Sequence, residues 1–144
     1  MKPEVLQLFE GISTVTLTMQ LLKRGLRNCF IVGARPLDPE NCRFAALAYT
    51  LRFIPMREDL SRVEVLGDPE YPPRKAVEDI PPDHAMVIDA RGELSAGVIG
   101  DILAARLQER GIAAVISDGP VRDGVAWQPD YYRFFAPAAL RQPV

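Results

Sequence analysis

Residues 85–119, AMVIDARGELSAGVIGDILAARLQERGIAAVISDG, decide the fold. Ala85–Asp89 is a short apolar run bounded by polar residues, the pattern of a strand buried on both faces. Val98, Ile102, Leu103 and Leu107 recur at helical spacing, so the sequence predicts a helix over 98–110, with Gly111 as its C-terminal stop. Residues 112–117 form a second apolar run. Strand, helix and strand joined by short segments make a βαβ unit, whose two strands are expected to be parallel with a right-handed crossover. Ligands in such folds sit beyond the carboxyl ends of the strands. Those ends carry Asp89-Ala90-Arg91-Gly92 and Ser117-Asp118-Gly119.

On the N-terminal side, residues 43–54 combine β-branched and aromatic residues and read as a strand that Pro55 ends. Residues 56–82 are charged and proline-rich. They are expected to be a surface excursion with a short helix near 73–79. Residues 3–10 suggest an opening helix stopped by Gly11. A second helix over 14–24 follows, capped by Ser13, closed by Gly25, and carrying Leu17, Leu21 and Leu22 on one side. Residues 29–37 read as a short strand running into a turn. Beyond the central unit, Tyr132–Phe135 suggest one more strand. The aromatic group Trp127, Tyr131, Tyr132, Phe134 and Phe135 is expected to serve core or subunit packing. With neither repeat nor clear linker, residues 1–144 read as a single domain.

Two segments carry chemistry. In Gly97-Val98-Ile99-Gly100-Asp101, two glycines allow close approach to the backbone, and the free N–H groups of a first helical turn favour a carboxylate or phosphate. Neither a dinucleotide nor a P-loop fingerprint is present. In Asp118-Gly119-Pro120-Val121-Arg122-Asp123, Arg122 offers a planar fork for a carboxylate or enolate oxygen, and Asp123 a hard oxygen ligand for Mg²⁺ or Mn²⁺. Each segment alone is ordinary loop chemistry. If the two strands are parallel neighbours, both joints open at one sheet edge, where Asp101, Arg122 and Asp123 would line one pocket with the amides of Gly100 to Leu103. His84, the only histidine, is expected to be a loop residue rather than a general base. Arg52, Arg57, Glu58 and Asp59 read as a solvated edge, with a lid as the alternative.

Composition narrows the function classes. The chain has 144 residues, 48% of them apolar and 25% charged, which suits a globular domain. A net charge of −2 argues against binding nucleic acid through phosphate neutralisation. No apolar run is long enough to span a bilayer. Met1–Glu10 contains Glu4 and Glu10 and no signal-like apolar core, so a cytoplasmic protein without membrane contact is expected. Cys29 and Cys42 lack a zinc spacing and are expected to be free thiols.

The runs ISTVTLTMQLLKRGLRN and AYTLRFIPMRED, and the stretch VIDARGELSAGVIGDILAARLQERGIAAVISDGPVRD, resemble the RraA-like family in order and spacing. That family includes the regulators of ribonuclease activity and the class II pyruvate aldolases. The resemblance implies an α/β architecture, the swivelling α/β/α-type fold, in a homo-oligomer, trimer or hexamer. It implies a metal-dependent lyase that cleaves 4-hydroxy-4-methyl-2-oxoglutarate and related 2-oxo acids to pyruvate, with oxaloacetate decarboxylation beside it. The alternative it carries is a non-catalytic regulator bound to a ribonuclease. By the same resemblance, Asp123 matches the ligand of a divalent Mg²⁺ or Mn²⁺. Arg122 matches the arginine on the pyruvyl oxygens, and Asp101 the acid that holds metal-bound water. The amides from Gly100 through Ile102 to Leu103 match the carboxylate site. No Schiff-base lysine is needed, and Lys2, Lys23 and Lys75 all lie away from the motif in sequence. Only 21 residues follow Asp123. Aldolase members carry more, so the fold is expected to lack later strands and a glutamate that in some members reaches a neighbouring subunit.

Overall fold

The strand–helix–strand unit read from residues 85–119 is present, and the rest of the sheet grows from it. The computed structural model describes residues 3–9, 11–55, 57, 59–122 and 133–137. Among the described residues five strands, β1 (Ala34–Pro36), β2 (Leu47–Arg52), β3 (His84–Asp89), β4 (Ala114–Ser117) and β5 (Phe134–Pro137), form one sheet in the order β1-β5-β4-β3-β2. β2, β3, β4 and β5 run parallel, while β1 lies antiparallel to β5 at one edge. The helices are α1 (Pro3–Gln7), α2 (Thr14–Lys23), α3 (Val63–Leu66), α4 (Pro72–Asp79) and α5 (Asp101–Glu109).

Register sorts the strand residues onto two faces. Tyr49 pairs with Met86, Met86 with Val115, and Val115 with Phe134, so these side chains share one face. That face, with Leu51, Ile88 and Ala136, packs against Val77 from α4, Ile80 just after it and Leu107 from α5 to make the core. Ile80, Leu107 and Val115 are fully buried there. The opposite face carries Thr50, Val87, Ile116 and Phe135. It is only partly covered, and Phe135 meets Phe44 with ring centroids 5.5 Å apart.

Helix ends follow their caps. The Ser13 hydroxyl accepts from the Thr16 N–H at 3.1 Å, as its N-cap position requires. At the end of α5, Gly111 takes φ 72°, its N–H donates to the Gln108 carbonyl, and the Ile112 N–H donates to the Leu107 carbonyl. This double bond pattern turns the chain straight into β4. α4 and α5 are stapled by Arg106, whose Nε and Nη2 donate to the two oxygens of Glu78 at 2.8 and 2.9 Å.

Several expected boundaries shift. α5 starts at Asp101, not at residue 98, because the preceding residues bond to another loop. β2 is confined to 47–52 within the expected 43–54, and β5 lies two residues later than expected. A short helix, α3, precedes α4. His84, expected in a loop, is the first residue of β3, and its Nδ1 lies 2.9 Å from the Pro82 carbonyl oxygen. On α2, Leu17 and Leu21 are half-buried and Leu22 is exposed; the exposed apolar stripe is Val15, Met19, Leu22 and, just beyond the helix, Leu26. Trp127, Tyr131 and Tyr132 lie outside the described residues. No helix among the described residues is long and apolar enough to cross a membrane.

Candidate functional site

The carboxyl ends of β3 and β4 lie side by side, and the loops that leave them are bonded together. The Val98 N–H donates to the Pro120 carbonyl at 2.9 Å, and the Arg122 N–H donates to the Ile99 carbonyl at 3.0 Å. Ile99 and Val121 form an isolated parallel bridge. Val98 and Ile99 are thus bonded to the loop after β4, which is why the helix predicted from 98 begins only at Asp101. Gly100, with φ −112° and ψ 179°, is its N-cap and has no side chain to cap it.

Two glycines make this approach possible. A Cβ built on Gly97 would lie 2.8 Å from the Arg122 Cβ. One built on Gly119 would lie 2.5 Å from the Ala90 Cβ. Both distances are below any real carbon–carbon contact, so each glycine is required by the proximity of its neighbour. The sequence marked Gly97 and left Gly119 without a role.

The structure therefore brings Arg122 beside the first turn of α5, as the two motifs suggested. Asp101, Ile102 and Arg122 are exposed, Leu103 is half-buried and Gly100 is buried. The Asp101 Oδ1 accepts from the Ile102 N–H at 2.7 Å, so this amide is already engaged by the chain itself. The Ile99 carbonyl, which stands four residues before Leu103, accepts from Arg122. The N–H groups of Asp101 and Leu103 remain as the first-turn donors facing out of the helix end. Asp123 lies outside the described residues.

Among the described residues no three or more of Asp, Glu, His and Cys converge as a metal-binding group. Asp101 is the carboxylate that this loop pair contributes there. A Mg²⁺-like ion keeps most of its waters, so a carboxylate such as Asp101 suits contact with metal-bound water.

A third device lies at the ends of β3 and β4. The Asp118 carboxylate accepts from the Ala90 N–H through Oδ1 and from the Gly92 N–H through Oδ2, at 2.5 and 3.0 Å. The Asp89 Oδ1 accepts from the Arg91 N–H at 3.0 Å. Asp89 also receives Arg52 Nε at 2.7 Å. The Arg91 amide and then the Arg52 guanidinium hold the Asp89 carboxyl below its usual range, with the Arg91 charge adding to them. Arg52 is therefore tied to β3, not simply solvated, although an ion pair this exposed stabilises little. Arg57 pairs with Asp59 and draws its carboxyl down. Glu58 lies outside the described residues.

A cleft of about 180 Å³ lies between residues 31–34 and the ends of β3 and β4, lined in part by Val32, Val87, Asp89, Ile116 and Asp118. None of Gly100, Asp101, Ile102, Leu103 or Arg122 lines it. Among the described residues the candidate site is thus an open edge rather than this cleft.

No curated protein matches the sequence. Solved structures match it throughout. RraAS2 of Streptomyces coelicolor, described as an unusual member of the RNase ES inhibitor RraA protein family, superposes with a TM-score of 0.74 at 24% identity over 94% of this chain and 64% of its own. An uncharacterized protein from Pseudomonas syringae gives 0.77 at 20% identity, covering 96% of this chain and 57% of that one. The RNA-processing inhibitor RraA from Thermus thermophilis gives 0.59 at 23% identity, covering 83% and 65%. The chain spans less than two thirds of each of these relatives. At such identities they establish the α/β fold. A family model described as Aldolase/RraA matches residues 14–142, nearly the whole chain, including both paired loops, and on that ground the chain belongs to the RraA-like family.

Proposed function

We propose that this protein is a divalent-metal-dependent lyase that releases pyruvate from 4-hydroxy-4-methyl-2-oxoglutarate or a related 2-oxo acid, with oxaloacetate decarboxylation as a companion activity. The observation that supports it most is the pairing of residues 97–99 with 120–122, which sets the Arg122 backbone against the entry to α5. In this reading the outward N–H groups of Asp101 and Leu103 take the pyruvyl carboxylate, helped by the positive end of α5. The Arg122 guanidinium donates to the 2-keto oxygen. As the C3–C4 bond breaks, its electron pair moves toward that oxygen to give the enolate, the 4-hydroxyl proton passes to water as C4 becomes a carbonyl, and water then protonates C3. The guanidinium donor therefore bonds more strongly in the transition state than in the ground state. Asp123 would hold the divalent ion and Asp101 its bound water, and the ion would supply Lewis-acid polarisation of the same keto group. The Asp101 carboxylate also fixes the Ile102 amide, which keeps the first turn ordered around the substrate.

The test is pyruvate release from oxaloacetate and from 4-hydroxy-4-methyl-2-oxoglutarate, with Mg²⁺ or with EDTA. Asp123→Ala is expected to remove metal-dependent release by a factor of at least ~100, in line with loss of a charged ligand. Release that persists in EDTA or in Asp123→Ala would overturn the site.

A second reading is a regulator that binds a ribonuclease. Two of the matched structures are described as inhibitors of RNA processing or of an RNase. The apolar stripe Val15, Met19, Leu22 and Leu26 offers an uncovered surface of the sort used for protein contact. Metal-independent inhibition of a purified RNase, lost on Met19→Glu, would favour it.

A further inference from the structure

The turn at residues 90–92 holds an arginine where the backbone asks for a glycine. Arg91 has φ 60° and Gly92 φ 64°. The left-handed region is strained for a residue with a Cβ, and glycine would make the same turn without strain. The turn therefore does not explain the arginine; the side chain must.

The turn is also unusually well held. Three successive amides, of Ala90, Arg91 and Gly92, each donate to a carboxylate oxygen from the end of β3 or β4. Such a concave run of N–H groups usually receives an anion from outside. Here Asp118 and Asp89 fill it, so it serves to fix the position of residue 91. Both acids are spent on this task, and Asp89 is shared with Arg52. Among the described residues the Arg91 guanidinium enters no salt bridge. Gly119, flush against Ala90 and 2.9 Å by its built Cβ from Val98 Cγ1, locks this turn to the strip that leads into α5. Arg91 and Arg122 thus stand on the same carboxyl edge, on two loops packed together.

Resting on the lyase reading, we infer that Arg91 is a specificity-determining residue that binds the second carboxylate of a dicarboxylic 2-oxo acid. Arg122 and the α5 amides hold the pyruvyl end. Arg91 takes the far end, selecting substrates with two carboxylates over those with one. A planar fork on an ordered backbone suits this task better than a lysine would.

The experiment compares Arg91→Gly and Arg91→Lys with the wild type, all loaded with Mg²⁺. Three rates are read: cleavage of 4-hydroxy-4-methyl-2-oxoglutarate, cleavage of the monocarboxylate 4-hydroxy-2-oxopentanoate, and exchange of the pyruvate methyl protons with deuterium. Arg91→Gly relieves the strained φ, so its melting transition is expected to persist. Its kcat/KM for the dicarboxylate is expected to fall roughly tenfold or more, through KM, the value of one charge-assisted contact. The monocarboxylate and the exchange rates should stay at wild-type levels, and Arg91→Lys should recover part of the loss. An equal fall on all three rates, or no fall on the dicarboxylate, would overturn the assignment. If the wild type neither exchanges pyruvate protons nor cleaves either acid, the lyase reading itself fails, and the role of Arg91 falls with it.

Discussion

Arg122 and Gly97 show how close the two motifs come. Replacing Gly97 with alanine adds a methyl group 2.8 Å from the Arg122 Cβ, which must move one loop against the other. Because a misplacement of about 1 Å can cost up to a hundredfold, pyruvate release by Gly97→Ala is expected to drop by at least ~10-fold in kcat while the protein stays folded. Steady-state kinetics with circular dichroism as the folding control checks this, and an unchanged kcat would detach the loop pairing from the chemistry. At this scale the sequence was informative about residue types: Gly97, Gly100, Asp101 and Arg122 could all be picked out. It was silent on Asp118, Gly119 and Arg91. The contacts of Asp118 and Gly119 with Ala90 and Gly92 join residues 26 to 29 apart in the chain, and no local pattern encodes which amides a strand-end aspartate will meet. Asp123, the residue on which the metal reading depends, lies outside the described residues.

Helices α4 and α5 are joined through one carboxylate that serves two cations. Glu78 receives Arg106 in a bidentate fork and Arg110 at 3.4 Å. The Arg106 hydrogen bond, chiefly, draws the Glu78 carboxyl below its ordinary value of 4.5 and in turn raises Arg106. A carboxyl whose folded pKa is depressed contributes stability that is complete above its unfolded value and disappears as pH falls through the folded one. Glu78→Gln should therefore be less stable than the wild type at neutral pH, and the gap should close below the ordinary value of 4.5. Urea unfolding at the two pH values measures it; a gap that is the same at both would show that the pair does not titrate with folding. Helices α2 and α5 were legible from apolar spacing and from Ser13, Gly25 and Gly111; α3 was not. The start of α5 was not, because Val98 and Ile99 fit a helical stripe equally well yet find hydrogen-bond partners in the loop after β4.

For the whole molecule, the sheet order places β4 in the middle and the two strands that come first in the chain, β1 and β2, at the edges. The neighbouring parallel pair β3 and β4 was readable because both are short apolar runs separated by a helix. The place of β1 was not, since three residues carry no usable period and their partner is far off in sequence. Phe134, almost wholly buried, anchors that partner. Phe134→Ala is expected to cost about 3–5 kcal/mol. The Leu37 amide, which donates to the Phe134 carbonyl at 2.8 Å, should then exchange with deuterium faster, by a larger factor than the Ile88 amide in the sheet centre. Equal acceleration at both sites would mean that the sheet opens as one unit.

The antiparallel pair of β1 with β5 also sets an order of events in time. Residues 34–36 leave the ribosome early but gain their ladder only when residues 134–137 arrive, roughly a hundred residues later. Until then this segment, with the apolar Phe30, Ile31 and Val32 just before it, has no strand to join. The nascent chain thus carries an adhesive stretch while those hundred residues are made. Closing that one long loop is the step at which a chaperone, or a second unfinished chain, competes with correct folding.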